Sequence, residues 1–274
     1  MTSAFIDKNQ KKKMKNIIII ALLLLIGICP FIQAQNNAQG GNQTGVIRPQ
    51  FTPEQIEQFN RRIGESLRTD FAALKRYQED NTKIGLPASG ENRVVFMGNS
   101  ITEYWNPFWA EFFPGKSYIN RGIAGQTTPQ MLVRFQQDVI KLKPKVVVIL
   151  AGINDITGMT GPTTNEMIED NLSSMVEIAQ ANGIRVVLST VLPCFNIVGR
   201  PDLHPAERVL ALNIWIKKFA SEKGCVYLDY FSKLADENNG LKQEFTKDGV
   251  HPNKAGYDIM APLVEIAIQK ALSK

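Results

Sequence analysis

The stretch Arg93-Val-Val-Phe-Met-Gly-Asn-Ser-Ile-Thr-Glu-Tyr-Trp105 decides the fold of this chain. Val94–Met97 is an apolar run that is long enough for one buried strand and too short for a helix. Gly98 interrupts the run, and apolar residues then recur at helical spacing, which predicts a helix over residues 103–113. Ser100 therefore stands where a strand turns into a helix.

A serine at such a turn has two features that favour a nucleophile. Its hydroxyl projects from the carboxyl edge of the sheet, and the helix behind it supplies free N–H donors and the positive end of its dipole. The alternative is that Ser100 only caps the helix, because serine is a common N-cap residue. This stretch alone leaves both interpretations open.

The same alternation of strand and helix continues to the end of the chain. The predicted strands are 93–97, 117–120, 145–150, 184–190 and 225–229, and the predicted helices that follow them are 103–113, 129–142, 164–181, 210–219 and 254–272. Repeated units of this length predict one parallel sheet with helices on both faces. The expected fold class is therefore α/β, with three α/β/α layers around a five-stranded parallel sheet.

The first 34 residues differ from the rest of the chain. A lysine-rich head precedes the apolar run 17–28, and Ala34 offers a small residue before a cut ahead of Gln35. This pattern predicts a signal peptide over residues 1–34 and export to the periplasm or the exterior, with only transient membrane contact through that segment. The run is short for a membrane span, which needs roughly 20 residues, and an uncleaved anchor is the alternative.

The remaining chain divides into a linker and a folded domain. Residues 35–52 are polar and glycine-rich, which predicts a flexible linker. Residues 53–274 are the predicted domain, and 44% hydrophobic content is enough to give a chain of this length a full core. The domain opens with a predicted accessory helix over 53–80, because Thr52-Pro53-Glu54 is a typical helix start.

Charge and cysteine content exclude some classes of function. Residues 1–34 hold five lysines and one aspartate, which account for +4 of the net charge of +5. Because the rest is nearly neutral and has no basic stripe with interleaved aromatic residues, we expect no nucleic-acid partner. Cys194 follows one strand and Cys225 begins the next, so they lie at opposite edges of a parallel sheet and no disulfide is expected.

Reactive residues follow several predicted strands. Because parallel strands end at the same sheet edge, these side chains should meet there, and ligands bind at that edge. Histidine is the usual base for a serine nucleophile, an acid can hold the imidazole, and amide N–H groups can stabilise an oxyanion. The residues concerned are Ser100, Gly125, Asn154, Asp155, Asp248 and His251, with His204 in the loop after the fourth strand.

Each of these residues also has a structural interpretation. His251 before Pro252 is compatible with a surface loop, and Asn154-Asp155 and Gly125 are compatible with simple turns. Their placement after different strands, at one predicted edge, is what favours a catalytic site.

Four sequence blocks also carry a family resemblance. They are Gly98-Asn-Ser-Ile101, Asn120-Arg-Gly-Ile-Ala-Gly125, Gly152-Ile-Asn-Asp155 and Asp248-Gly-Val-His251. In this order they resemble the SGNH, or GDSL, hydrolases. The resemblance implies a flavodoxin-like sheet, no metal and no organic cofactor. It implies Ser100 as nucleophile, His251 as base with Asp248 as its partner, and Gly125 and Asn154 as oxyanion donors. Asn99 departs from the pattern, because the family usually has aspartate there.

The resemblance implies hydrolysis of acyl esters. Export and the similarity to acetylhydrolase-like members favour short acyl groups, above all acetyl esters of carbohydrates, as small-molecule or glycan substrates. The alternatives are a lysophospholipase or lipid-ester hydrolase, a silent glycan-binding module, and a surface-tethered interaction protein. Asp155 and His204 are candidates for a loop that contacts the substrate. Trp105 and Phe195 are candidates for stacking on a sugar ring, although Trp105 fits a core residue better.

Overall fold

The computed structural model describes residues 53–197 and 203–274. The predicted signal peptide 1–34 and linker 35–52 lie outside the described residues. By its internal contacts the chain divides into two compact units, Met1–Glu65 and Ser66–Lys274. The sheet belongs entirely to the second unit.

The second unit alternates strands and helices as the sequence predicts. The strands are β1 (Val94–Gly98), β2 (Tyr118–Gly122), β3 (Val146–Leu150), β4 (Arg185–Ser189) and β5 (Val226–Leu228). The helices of the described residues are α1 (Pro53–Thr69), α2 (Gln78–Ile84), α3 (Ser100–Glu103), α4 (Trp109–Phe112), α5 (Thr128–Asp138), α6 (Ile153–Ile156), α7 (Asn165–Ala181), α8 (Pro205–Glu222), α9 (Phe231–Leu234) and α10 (Lys254–Leu272).

The five strands form one parallel sheet in the order β2-β1-β3-β4-β5. The strand order reverses between β1 and β3, because the chain goes from β1 to β2 on one side and then crosses to β3 on the other. In the register, Phe96 of β1 lies between Asn120 and Val148. Ligands of such sheets bind beyond the carboxyl ends of the strands at this reversal point, where Ser100 follows β1.

Helices cover both faces of the sheet. The side chains of β1 and β3 are entirely buried, as expected for strands packed on two faces. On one face α5, α7 and α8 pack against one another and against the strands. On the other face α10 packs against β3, β4 and β5, and its Tyr257 contacts Trp105 with ring centroids 4.8 Å apart. The predicted three-layer α/β/α fold with a five-stranded parallel sheet is confirmed.

The predicted accessory helix over 53–80 is not continuous. α1 ends at Thr69, because the carboxylate of Asp70 accepts the N–H groups of Leu74 and Lys75 at 2.8 and 3.1 Å and closes a turn. Ala73 in this turn has φ of 51°, a left-handed conformation that no helix contains. A separate helix, α2, follows.

The predicted helix over 103–113 is also divided. α3 begins at Ser100 and ends at Glu103, a short 3₁₀ segment covers Asn106–Phe108, and α4 follows. Pro107 has no N–H to donate to the carbonyl of Glu103, so an α-helix cannot continue through it. The aromatic residues of this segment pack around Phe96 from separate short turns.

Cys194 and Cys225 are both free and buried. Within the described part of the chain, no helix is long and apolar enough to cross a membrane.

Candidate active site

Ser100 is the first residue of α3 rather than its cap. The N-cap is Asn99, whose Oδ1 accepts the N–H of Ile101 at 3.0 Å, so the hydroxyl of Ser100 is free for another role. Ser100 is buried, and its Oγ lies 2.9 Å from Nε2 of His251. Gly98 permits this tight turn, because a Cβ at its position would lie 2.0 Å from Oγ1 of Thr102 and 2.9 Å from the carbonyl of Leu150.

Asp248 and His251 belong to one turn just before α10. Asp248 Oδ2 lies 2.7 Å from His251 Nδ1, and Oδ1 accepts the backbone N–H groups of His251 and Val250 at 2.8 and 2.9 Å. Thr246 Oγ1 donates to the carbonyl of His251 at 2.8 Å and accepts the N–H of Gly249 at 3.0 Å. The turn thus fixes His251 through its backbone N–H, its backbone carbonyl and its ring nitrogen Nδ1.

The charge of Asp248 suits this arrangement. Burial acts to raise its pKa, but the hydrogen bond and the electrostatic interaction with His251, together with the N–H groups of His251 and Val250, outweigh burial and lower the pKa to about 2. Asp248 is therefore ionised near neutral pH and accepts a hydrogen bond from the N–H at Nδ1 of His251. That assignment leaves Nε2 as the acceptor facing Ser100, the tautomer a general base needs.

The loop after β2 lies against the turn that carries Ser100. The N–H of Ile123 donates to the carbonyl of Gly98 at 3.0 Å, and the N–H of Ala124 donates to the carboxylate of Glu103 at 2.7 Å. Gly125 has φ of 77°, which favours glycine, and its N–H has no hydrogen-bond partner among the described residues. The N–H of Ser100 is likewise in the first turn of a helix, where backbone donors remain free.

Asn154 is tied to the same loop. One hydrogen of its Nδ2 goes to the carbonyl of Gln126 at 2.9 Å, which fixes the amide and leaves its second N–H for a ligand. Asn154 is the second residue of α6, which begins directly after the loop following β3. Three N–H donors, from Ser100, Gly125 and Asn154, therefore lie at the start of α3, in the loop after β2 and at the start of α6.

Asp155, a candidate for a loop that contacts the substrate, lies in α6 and is buried. It is 1% exposed, and its carboxylate accepts the N–H of Thr128 at 2.9 and 3.1 Å and the Thr128 hydroxyl at 2.5 Å. It thereby fastens the start of α5 beneath the site. Burial raises the pKa of Asp155 to about 6, although the hydrogen bonds from Thr128 act in the opposite direction.

Replacing Asp155 with asparagine is expected to change how stability depends on pH. The pKa of about 6 exceeds the ordinary value of 3.8, so the folded protein binds this proton more tightly than the unfolded chain. The resulting stabilisation is present below pH 3.8 and is lost as the pH rises through 6. A two-unit shift corresponds to about 3 kcal/mol in a buried group.

Urea unfolding of the wild type and Asp155→Asn at about pH 4 and pH 7 measures this effect. The difference in unfolding free energy should move in favour of the variant by up to about 3 kcal/mol between the two pH values. A difference that stays constant with pH would contradict the assignment.

The contacts of the described residues do not link His204 to the site. His204 directly precedes α8, next to residues outside the described part, and no described contact joins it to Ser100 or His251. Of the two aromatic candidates, Trp105 is 2% exposed and belongs to the core, whereas Phe195 is 50% exposed. Tyr104, which the sequence analysis did not select, packs against the imidazole of His251 with ring centroids 5.2 Å apart.

Two further residues behind the site were missed. Gln126 follows Gly125 and links it to Asn154, and the buried Arg134 contacts Gln126 from α5. Arg134 was detectable, because it follows the apolar Met131 by three positions and precedes Asp138 by four, which places an ion pair on the buried face of the helix.

The described residues contain no cluster of side chains that is suited to bind a metal ion. No group of three or more histidine, cysteine, aspartate or glutamate side chains there is arranged to hold a metal ion.

Comparison with known proteins places this geometry in a family. Residues 96–259 match the GDSL-like lipase/acylhydrolase family, which is more than half of the chain. Among solved structures, the chain is similar to a GDSL-like lipase from Bacteroides thetaiotaomicron, with 43% sequence identity and a TM-score of 0.71. That similarity covers 74% of this chain and 100% of the other.

Two curated relatives are acetylxylan esterases. The one from Xylanibacter ruminicola is 25% identical over 224 residues, 67% of this chain and 45% of that protein. The one from Geobacillus stearothermophilus is 28% identical over 186 residues, 63% of this chain and 82% of that protein. The chain spans only about half the length of two curated relatives that it matches, 59% of an uncharacterized lipoprotein from Bacillus subtilis and 45% of the esterase from Xylanibacter ruminicola. Its four sequence blocks, its five-stranded parallel sheet and the match over residues 96–259 show that the chain belongs to the GDSL-like lipase/acylhydrolase family of carboxylic ester hydrolases.

Proposed function

We propose that this protein hydrolyses short-chain acyl esters, chiefly acetyl esters of carbohydrates, with Ser100 as nucleophile. The observation that carries the proposal is the unbroken chain of hydrogen bonds from Ser100 through His251 to the ionised Asp248. A serine hydroxyl is a weak nucleophile until a base takes its proton, and this chain supplies that base in the required tautomer.

The reaction proceeds in two halves. His251 Nε2 takes the hydroxyl proton as Ser100 Oγ bonds to the acyl carbon, and the carbonyl oxygen becomes an oxyanion. The oxyanion then collapses, the bond to the alcohol oxygen breaks, and His251 gives its proton to that oxygen. Water attacks the resulting acyl-enzyme with His251 again taking a proton, and the acid leaves as Ser100 regains its hydrogen. Asp248 orients the imidazole and stabilises its charged form in each half.

The N–H donors of Ser100, Gly125 and Asn154 are proposed to stabilise the oxyanion. Donors already fixed in place stabilise developing charge without reorganising during the reaction. The bond from Asn154 to the carbonyl of Gln126 supplies such fixation.

The preference for acetyl esters of carbohydrates is supported by the two acetylxylan esterases among the relatives. It is also supported by the absence, in residues 53–197 and 203–274, of an additional apolar helix that would cover a long acyl chain. Phe195 is half exposed in the loop after β4 and offers an aromatic face on which a sugar ring can stack.

We further propose that the protein acts after export. This rests on the lysine-rich head and apolar run of residues 1–34. Mass spectrometry of protein recovered outside the cytoplasm should give an N-terminus at Gln35. An intact N-terminus would instead favour the retained anchor.

The ester specificity is tested with p-nitrophenyl acetate, butyrate and octanoate on the purified protein. Activity that falls steeply from acetate to octanoate supports the proposal and leads to acetylated oligosaccharides as the next substrates. A preference for octanoate would shift the assignment to lipid esters. Failure to hydrolyse any of the three would leave a glycan-binding module as the better description.

Replacing Asn154 with alanine is expected to lower kcat by roughly 10²–10³-fold, the usual loss for one oxyanion donor. KM should change little, because the donor acts mainly on the transition state. Asn213→Ala is a matched control, since Asn213 and Asn154 are both 8% exposed and both bond to backbone. A loss of less than about threefold in Asn154→Ala would remove this residue from the oxyanion site.

A further inference from the structure

A fully buried arginine lies directly behind the candidate oxyanion donors. Arg134 projects from α5 and is 0% exposed. Its Nη2 donates to the carbonyl of Gly98 at 3.0 Å, and its Nε donates to Oε1 of Gln126 at 2.5 Å. One rigid guanidinium thus joins the end of β1 to the loop after β2.

The two acceptors of Arg134 are linked to all three donors by one or two residues of backbone or by one hydrogen bond. Gly98 is two residues before Ser100, so its carbonyl fixes the start of the turn that presents the Ser100 N–H. Gln126 directly follows Gly125, and its backbone carbonyl accepts the amide of Asn154. The spacing between the three donors therefore depends on the position of the Arg134 guanidinium.

A contribution to stability does not by itself explain a buried charge at Arg134. Burial lowers the pKa of Arg134, although Asp138 opposes the shift through an ion pair of 3.1 Å. Asn81 donates to the other oxygen of Asp138 at 2.7 Å, so the pair is fully enclosed in a polar network. Buried ion pairs often contribute no more to stability than apolar residues of the same volume. What a guanidinium supplies is a planar fork that holds several acceptors in fixed geometry.

We propose that Arg134 is a positioning residue that sets the spacing of the oxyanion donors on Ser100, Gly125 and Asn154. The inference rests on the ester hydrolysis proposed above. The donors stabilise charge that develops only in the transition state, so misplacing them lowers kcat and leaves KM nearly unchanged.

Arg134→Lys tests this role, because an ammonium keeps the charge but cannot reproduce the fork. Arg93→Lys is the matched control. Arg93 is 4% exposed and donates to the carbonyls of Gly85 and Leu142 at 2.8 and 2.9 Å, but it lies at the amino end of β1, on the opposite edge of the sheet. Both variants lose a buried guanidinium that bonds to backbone carbonyls or side chains, but only the guanidinium of Arg134 lies behind the oxyanion donors.

The measurements are kcat and KM for p-nitrophenyl acetate, together with urea unfolding. Arg134→Lys should lower kcat by roughly 10–100-fold with KM within about threefold of wild type, as expected for small misplacement of catalytic groups. Arg93→Lys should keep kcat within about threefold, whatever its loss of stability. Equal losses of kcat in both variants, or an unchanged kcat in Arg134→Lys, would overturn the inference.

A double-mutant cycle with Asn154→Ala separates positioning from general damage. If Arg134 acts through the donors, Arg134→Lys should lower kcat less in the Asn154→Ala protein than in the wild type. Equal factors in the two backgrounds would overturn the inference. Should Arg134→Lys fail to fold, Gln126→Met, which removes the acceptor of Arg134 Nε, takes its place in the same cycle.

The wild-type assay distinguishes a failure of the proposed function from a failure of the role proposed for Arg134. A wild-type protein with no turnover that depends on Ser100 would overturn the proposed function and this inference together. An active wild type whose kcat is insensitive to Arg134 would overturn this inference alone.

Discussion

Replacing Ser100 with alanine should lower kcat for p-nitrophenyl acetate by about 10⁴-fold or more, to a rate near background. The variant loses the only atom that bonds to the acyl carbon in the proposed reaction, so no acyl-enzyme forms. The fold should survive, because the helix cap is supplied by Asn99, and among the described residues the hydroxyl of Ser100 forms a hydrogen bond only with His251. Circular dichroism and urea unfolding measure the fold beside the activity.

Ser189→Ala is the control for Ser100→Ala. Ser189 ends β4 and is 1% exposed, so it is buried as deeply as Ser100, and its hydroxyl bonds to the carbonyl of Thr190 at 3.2 Å. Its loss should leave kcat unchanged. Full activity in a folded Ser100→Ala protein would refute Ser100 as the nucleophile.

Replacing His251 with alanine should have an effect of similar size, roughly 10⁴-fold or more on kcat. Without the imidazole, Ser100 has no base within 2.9 Å, and the alcohol leaves without a proton donor. Because the two residues act as one unit, Ser100→Ala/His251→Ala should be no less active than either single variant. Steady-state rates of the three variants test both statements.

The chain offers a direct control for His251, since it contains two histidines. His204→Ala should retain kcat, because no described contact connects His204 with Ser100 or Asp248. If His204→Ala lost activity as His251→Ala does, His204 itself would have to contribute to the site.

The strands of this fold are predictable because a strand buried on both faces needs a continuous apolar run. Val94–Met97 and Val146–Leu150 are such runs, and both are strands in the structure. β2 extends beyond its prediction to Gly122. The first residue beyond the predicted end is Arg121, whose polar side chain is typical of a loop but donates hydrogen bonds to Asn81.

The helix breaks are not visible in the apolar spacing, because Asp70 in one segment and Pro107 in the other interrupt the helix without disturbing that spacing. Trp105, Trp109 and Phe113 recur at helical spacing, yet they share the neighbour Phe96 and do not form one helical face. Aromatic residues gathered around a strand residue can imitate the period of a helix. Local spacing does not distinguish these two arrangements.

The candidate site also has a part that the sequence predicts and a part that it does not. Ser100, Asp248 and His251 could be placed together from the sequence, since each follows a strand at the carboxyl edge of one sheet. The sequence shows Arg134 only as one half of a buried ion pair, and its link to the site, like that of Gln126, depends on hydrogen bonds between distant segments, such as the one from Arg134 to Gly98. A sequence pattern identifies reactive side chains more readily than the residues that hold them.

The turn that carries Asp248 and His251 determines how a displacement would affect the base. Asp248 holds both the ring and the backbone of His251 inside one short turn, whereas Ser100 belongs to a distant part of the chain. If this turn shifts relative to Ser100, the acid and the base shift together, and the contacts that change are the hydrogen bond to Ser100 and the ring contact with Tyr104. The hydrogen bond between Asp248 and Nδ1 lies within the turn, so the base keeps its tautomer while its distance from Ser100 changes.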